Sequence, residues 1–406
     1  MSANAEPKAA ALARADQESG HADTPLKADA GAASGSAAAG ATHTGSQIGG
    51  VATHGALPNA PSAPVDPSIA DGPALADAID IAGAGRAARL NVILALGILA
   101  AAALSIVAGK VWLPWNAWLL DDPRWLIIAE LRIPRTVLGF AVGASLGLAG
   151  AAMQGYLRNP LADPGLFGIS SGAALGATIS LYVGYATSAL ILPTFALLGA
   201  AGSMLILALL AGRSGSLILF ALAGMVLASI TGSLTTLIIS LAPTPFIASQ
   251  IVSWLLGALT DRSWDDVRMT VPAMLAGSVL IASTARSLDA LTLGEQAARS
   301  MGVDQRRLQW LIVLGVGLCV GASVAAAGII SFVGLMVPHM VRPLVGGKPS
   351  AILLPSALAS GLLMLLADSL VRIAPTVSEL RLGIAWSILG GPFFLVMLIR
   401  MRRQLA

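Results

Sequence analysis

Residues 134–156 read PRTVLGFAVGASLGLAGAAMQGY, residues 157–164 read LRNPLADP, and residues 165–184 read GLFGISSGAALGATISLYVG. The outer two pieces are apolar and of the length that a helix needs to cross roughly 30 Å of hydrocarbon. The piece between them carries two prolines and forces a compact turn. Asp163 suits a helix N-cap and Pro164 the first helical position, so the second apolar helix is predicted to start there. Ser170, Ser171, Gly172 and Ala173 then give it a small-residue face for close packing. The turn reads either as a rigid hairpin that fixes topology or as a working loop.

The pattern repeats along the chain. Apolar stretches of roughly 17 to 25 residues fall near 90–112, 134–156, 165–184, 187–211, 216–241, 268–285, 308–329, 331–345, 352–371 and 382–400. The eighth is the shortest and ends at Pro338-His-Met-Val-Arg342. The composition agrees: 56% of the 406 residues are hydrophobic and 11% charged, whereas soluble domains carry about 25% charged residues. Forty-four glycines and 5% aromatics suit closely packed membrane helices. The fold class read from this is all-α and integral to a membrane, with about ten spans.

Residues 1–87 differ in kind. They are a low-complexity mixture of Ala, Gly, Ser, Thr and Pro without an apolar run, and read as a disordered cytoplasmic tail ahead of a membrane domain at 88–406. The tail holds four basic and nine acidic residues, a net of −5 that leaves about +8 for the remainder and excludes a polybasic lipid anchor. The whole chain, at +3, shows no basic run of the kind that grips nucleic acid.

With the N-terminus inside, thirteen Lys or Arg flank the inner ends of the spans and eight the outer ends. The positive-inside rule therefore places both termini in the cytoplasm. The eight outer bases include Arg132, Arg135, Arg262, Arg372 and Arg381, an excess that asks for a reason.

Ion-coupled carriers place ionisable groups near the bilayer midplane, but these spans are almost free of charge at their centres, with Asp368 near an outer end and His339 near an inner one. No GxxxxGK[ST] loop exists, since Gly346-Gly347-Lys348 runs into Pro349. The chain is expected not to be an enzyme, nor to bind a metal or cofactor. Cys319, alone inside an apolar run, reads as packing, and His339 as structural.

Two loop regions carry more specific chemistry. Residues 287–303 are too polar to span and too amphipathic for an inert linker; Gly294 breaks them into two short helices. Leu288, Leu291 and Leu293 before the break, and Ala298 and Met301 after it, offer an apolar ridge to a partner's groove, or to lipid headgroups. At the opposite face Arg132 and Arg135, spaced i and i+3, join Arg372 as guanidinium forks. They suit carboxylates on an extracytoplasmic protein, or local pairing with Glu130, Asp368 and Glu379.

These segments resemble, in order, the permease subunits of ABC importers for vitamin B12, ferric siderophores and haem, the FecCD-type permeases. The likeness runs from about Leu90 to Arg400. It rests on Arg132-Ile-Pro-Arg135, Gln154 through Gly172, Leu293-Gly294-Glu295 with Ala298 and Gly302, and Gly328 through Arg342. It continues through Leu366 to Arg372, Glu379 to Ile384 and Gly390-Gly-Pro-Phe-Phe394.

The resemblance implies a type II importer fold: a homodimer of ten-helix subunits in a bacterial inner membrane, with two ATPase subunits below and a periplasmic binding protein above. ATP and Mg would sit on the ATPases. Arg132, Arg135 and Arg372 match positions that receive the binding protein's carboxylates. Residues 288–302, including Leu288, Leu291, Leu293, Gly294, Glu295, Ala298, Met301 and Gly302, match the coupling helices. Asn159, Leu161 and Ser216 match cytoplasmic gate positions; at the adjoining one Leu217 replaces the small polar residue of the B12 permease. Arg381 stands where many relatives have Pro. Residues 158–174 look most like the haem permeases, which makes haem the expected cargo, a ferric siderophore the nearest rival and cobalamin the third. An ion-coupled secondary transporter is the reading from another class.

Overall fold

The computed structural model describes residues 72–109, 114, 118, 122–184, 190–211, 217–375 and 379–405. Among these every regular element is helical. The first helix, α1 (Gly72–Val107), starts well inside the stretch assigned to the tail. Pro73 suits a first helical turn, and the alanine-rich run after it has the highest intrinsic helix propensity. A tail boundary at residue 87 is therefore too late for the backbone, although the apolar part of α1 begins only at Gly85.

A π-helical turn at Ile127–Arg132 leads into α2 (Ile133–Tyr156). α3 (Ile169–Val183), α4 (Ile191–Ala211), α5 (Leu217–Ser240), α6 (Pro245–Leu255) and α7 (Trp264–Ser283) follow. After them come the short α8 (Ala285–Leu291) and α9 (Glu295–Ser300), then α10 (Gln305–Ala327), α11 (Val333–Val345), α12 (Pro349–Ile373) and α13 (Leu382–Leu405). Eight of the described helices are long and apolar enough to cross a membrane. The other two expected spans are the shorter α3 and α11.

α6 was not anticipated. Its 11 residues rise only about 16 Å, too short to cross the hydrocarbon, and it packs against α3 and α5. Thr244 starts it, its hydroxyl accepting from the Ile247 amide at 3.3 Å, and Pro245 follows at the first position.

α3 also starts later than expected. Asp163 caps a single 3₁₀ turn at Pro164–Phe167, accepting from the Gly165 amide at 2.7 Å. Gly168 then takes φ +76°, a left-handed conformation that ends the turn before Ile169 begins the helix.

α2 and α10 form the centre of the bundle, each mostly buried, with α2 packed on α12, α10 and α11. Backbone meets backbone there: a Cβ placed on Gly150 would lie 1.9 Å from the Gly334 carbonyl oxygen on α11. Only glycine permits that approach, the small-residue packing on which membrane helices rely. Leu99, Ile218, Leu222 and Ile388 are among many apolar side chains left exposed on the periphery. Lipid or a protein partner is their natural medium. Cys319 is fully buried, as a packing residue should be.

Candidate functional site

α2 and α12 run antiparallel, so each end of the bundle gathers a different set of loops. At one end stands a buried charge cluster. Arg135 donates from Nη2 to Asp368 Oδ1 at 2.8 Å and from Nε to both carboxylate oxygens at 3.1 Å. Arg372, one turn beyond Asp368, reaches its other oxygen at 2.9 Å. Arg372 also donates to the Ser105 hydroxyl and to the Ala108 carbonyl at the end of α1. Arg132 donates to the carbonyls of Ile106 and Val107 at 2.9 and 2.8 Å, where the α1 dipole is negative.

All three arginines are buried, and of the two readings of Arg132, Arg135 and Arg372 the local pairing is the one seen within this subunit. A desolvated guanidinium is tolerable only when paired and hydrogen-bonded, and each of these is committed within the subunit. Of the three acidic partners foreseen, Asp368 and Glu379 take part, whereas Glu130 remains exposed outside the cluster.

Glu379 closes the cluster on its solvent side, 3.0 Å from Arg135 Nη2, and accepts from the Thr260 hydroxyl at 3.1 Å. Burial pushes its carboxyl up, but the neighbouring Arg135 guanidinium and the two hydrogen bonds outweigh this and hold it below the usual glutamate range. The most exposed guanidinium groups at this end are those of Arg268, paired with Asp265 at 3.3 Å, and Arg124, paired with Asp122 at 2.7 Å. The Arg124 hydrogen bonds hold the Asp122 carboxyl at about 2.

Thr260 also belongs to the wall of a cavity of about 460 Å³. The cavity lies between α6, the 258–262 turn and Arg381. Arg381 donates to the Ser253 hydroxyl on α6, while its backbone carbonyl accepts from the amides of Ile384 and Ala385 in the first turn of α13. Neither α6 nor the cavity was foreseen; the Thr244-Pro245 pair was the legible signal for the first.

At the other end residues 288–302 are split by burial. Leu288, Leu291 and Ala298 are buried in the subunit's own core, while Leu293 is 69% and Met301 53% exposed. This corrects the single ridge: Leu288 and Leu291 lie on the inner face of α8 and Ala298 on that of α9, whereas Leu293 and Met301 stand just past the ends of these two helices and face out. Glu295 and Gly302 lie on the same outer surface, with Arg158 3.9 Å from Glu295. Asp289 accepts from the Ser350 amide at 2.8 Å and so pins α8 to the start of α12.

Asn159 is exposed in the α2–α3 turn, its carboxamide oxygen accepting from the Leu161 amide at 2.9 Å. Leu161 reaches a second cavity, of about 500 Å³, together with Asp163, Ser170, Ser171 and Phe332. Burial raises the Asp163 carboxyl above its ordinary range, partly offset by the Gly165 amide. Gln154 ties this region together: it donates to the Leu335 carbonyl at 3.1 Å and accepts from Arg342 at 3.3 Å. Ser216 lies outside the described residues, as does the side chain of Leu217, whose backbone opens α5.

Residues 96–400 match the FecCD transport family. The Fe(3+) dicitrate transport system permease protein FecD of Escherichia coli (strain K12) is 35% identical over 318 residues, 77% of this chain and 99% of the relative. The hemin transport system permease protein HmuU of Yersinia pestis is 34% identical over 320 residues, covering 78% and 94%. The vitamin B12 import system permease protein BtuC of Salmonella typhi is 36% identical over 316 residues, covering 76% and 94%. A solved structure assigned to the metal-chelate type of ABC transporter, in an inward-facing conformation, superposes with a TM-score of 0.70 at 30% identity, over 77% of this chain and 99% of that one.

Proposed function

This chain belongs to the FecCD transport family, a multi-pass permease of an ABC importer, and from that premise we propose that its cargo is haem. The observation that carries haem is the 158–174 segment, which resembles the haem permeases most, beside the likeness to a hemin permease. A ferric carboxylate chelate is the second reading, on the likeness to the dicitrate permease.

In this reading the permease is a homodimer in the inner membrane with both termini cytoplasmic. Two ATPase subunits bind ATP and Mg, and a periplasmic binding protein delivers cargo. The chain itself is not an enzyme and holds no cofactor. Residues 1–71 add a tail of unassigned role ahead of the permease domain.

The split coupling segment supports this mechanism. Leu293, Gly294, Glu295, Met301 and Gly302 are the surface offered to the ATPase, while Leu288, Leu291 and Ala298 anchor it to the bundle. A push on that surface would pass through Asp289 into α12 and through Arg158 into the turn that holds Asn159 and Leu161. Asn159, Leu161, Ser216 and Leu217 are proposed as the cytoplasmic gate, opened as the helices rock. Arg132, Arg135 and Arg372 hold α1, α2 and α12 in register beneath the face on which the binding protein docks. The docking charges themselves are assigned to the exposed Arg124 and Arg268.

The test is ATP hydrolysis by the co-purified ATPase in nanodiscs. Haem-loaded binding protein should stimulate it, and a rate indifferent to the binding protein would overturn the reading.

A further inference from the structure

The cavity beside α6 contains an arginine with no acidic partner. Arg124, Arg135, Arg262, Arg268 and Arg372, all at this end of the bundle, each have a carboxylate within 3.5 Å. Arg381 has none among the described residues; its recorded polar contact is the Ser253 hydroxyl, and most of its donors are left for the cavity. Trp254 Nε1 and Arg262 Nε, on two residues of the lining, have no acceptor among the described residues but are themselves closed off from the open space of the cavity. The one carboxylate in the lining, Asp261, is exposed. Since Arg262 is paired with Asp266, Arg381 is the cation in this wall that no carboxylate among the described residues compensates.

The arginine is also held in place. A Cβ on Gly383 would lie 2.2 Å from the Leu256 carbonyl oxygen, and the Gly383 amide donates to the Gly257 carbonyl at 3.3 Å. The start of α13 is therefore locked backbone-to-backbone against the end of α6. This fixes the backbone from which Arg381, two residues earlier, projects, and the Ser253 hydroxyl holds its guanidinium at the cavity wall. A planar guanidinium fork at the wall of a cavity matches a carboxylate in geometry as well as charge. A neutral amide would leave the guanidinium desolvated and unpaired.

We propose that this cavity receives the carboxylate groups of the cargo, with Arg381 as the recognising fork, so that the permease itself selects acidic metal chelates. The inference rests on the importer reading and narrows its substrate class to carboxylate-bearing chelates, including haem through its propionates. Ser253 already occupies part of the fork, which keeps the hold weak enough for release.

The experiment compares haem with its dimethyl ester, both presented by the same binding protein, in proteoliposomes containing wild type, Arg381→Gln or Arg381→Lys. The readout is the ratio of initial ATP-dependent uptake rates. Any preference of the binding protein cancels between variants, as does the amount of complex assembled. The haem-to-ester ratio should fall about tenfold in Arg381→Gln, the loss of one charge-assisted pair, and stay nearer wild type in Arg381→Lys. Binding of the two compounds to the purified permease in nanodiscs, without partners, should show the same fall. Equal ratios in wild type and Arg381→Gln, or ATP-dependent uptake of cobalamin in place of either haem compound, would overturn the proposal while leaving the importer standing. If no compound enters on ATP, the importer reading fails, and the nanodisc ratio alone then decides whether Arg381 reads carboxylates.

Discussion

Arg135 and Asp368, 233 positions apart in the chain, meet in a two-pronged ion pair with Nη2 2.8 Å from Oδ1. The pair clasps the start of α2 to the end of α12, and Asp368 serves Arg372 as well. One carboxylate thus compensates two buried guanidinium groups, with Glu379 supporting Arg135 from the other side.

Removing that carboxylate should cost more than the pair is worth, because two cations would be left buried. Asp368→Asn is expected to lower stability by about 3–5 kcal/mol, read as a drop in melting temperature in detergent. The double variant Arg135→Met, Asp368→Leu should recover part of the loss. A single variant that melts with wild type would show that the cluster is not a clasp.

Much of this was legible beforehand, and the reason for the remainder is physical. Apolar run length and turn residues foretold the spans, since a bilayer leaves helices little choice. The guanidinium groups were located and their local pairing was one of two readings: spacing put Arg132 and Arg135 on one face, yet their inward turn depends on Asp368 and on the carbonyls at the end of α1, partners distant in sequence. Likewise the period of residues 288–301 showed an apolar set, whereas only packing against α2 and α12 separates Leu288 from Leu293. The Arg381 cavity needed α6, and an 11-residue helix falls below the length that hydropathy detects.

If the binding protein meets exposed charge, reversal at Arg124 and Arg268 should slow its association and steepen or invert its salt dependence, with little effect on melting. Association rates by surface-immobilised binding protein at two ionic strengths check this. Unaltered rates in the Arg124→Glu, Arg268→Glu double variant would return the docking role to other residues.

Leu288 and Leu293 should behave oppositely. Leu288→Ala empties a fully buried site and is expected to cost about 2–5 kcal/mol of stability. Leu293→Asp should leave melting near wild type and abolish co-purification of the ATPase. A Leu293→Asp permease that still retains its ATPase would remove the coupling assignment.

Glu379 titrates below the ordinary glutamate range because of Arg135. Its folded value lies under its unfolded one, so its contribution is full above the ordinary carboxylate range and is lost as pH falls through the folded value. The melting gap between wild type and Glu379→Gln should therefore be widest near neutrality and shrink on acidification. A gap that grew toward low pH would reverse the sign of this interaction.

The most direct measurement is haem uptake into proteoliposomes that hold this permease and its ATPase, with haem-loaded binding protein outside and ATP inside. Uptake that needs all three, and stops when any one is withheld, is the predicted result. ATP hydrolysis with no haem entering, or haem entry indifferent to ATP, would contradict the account.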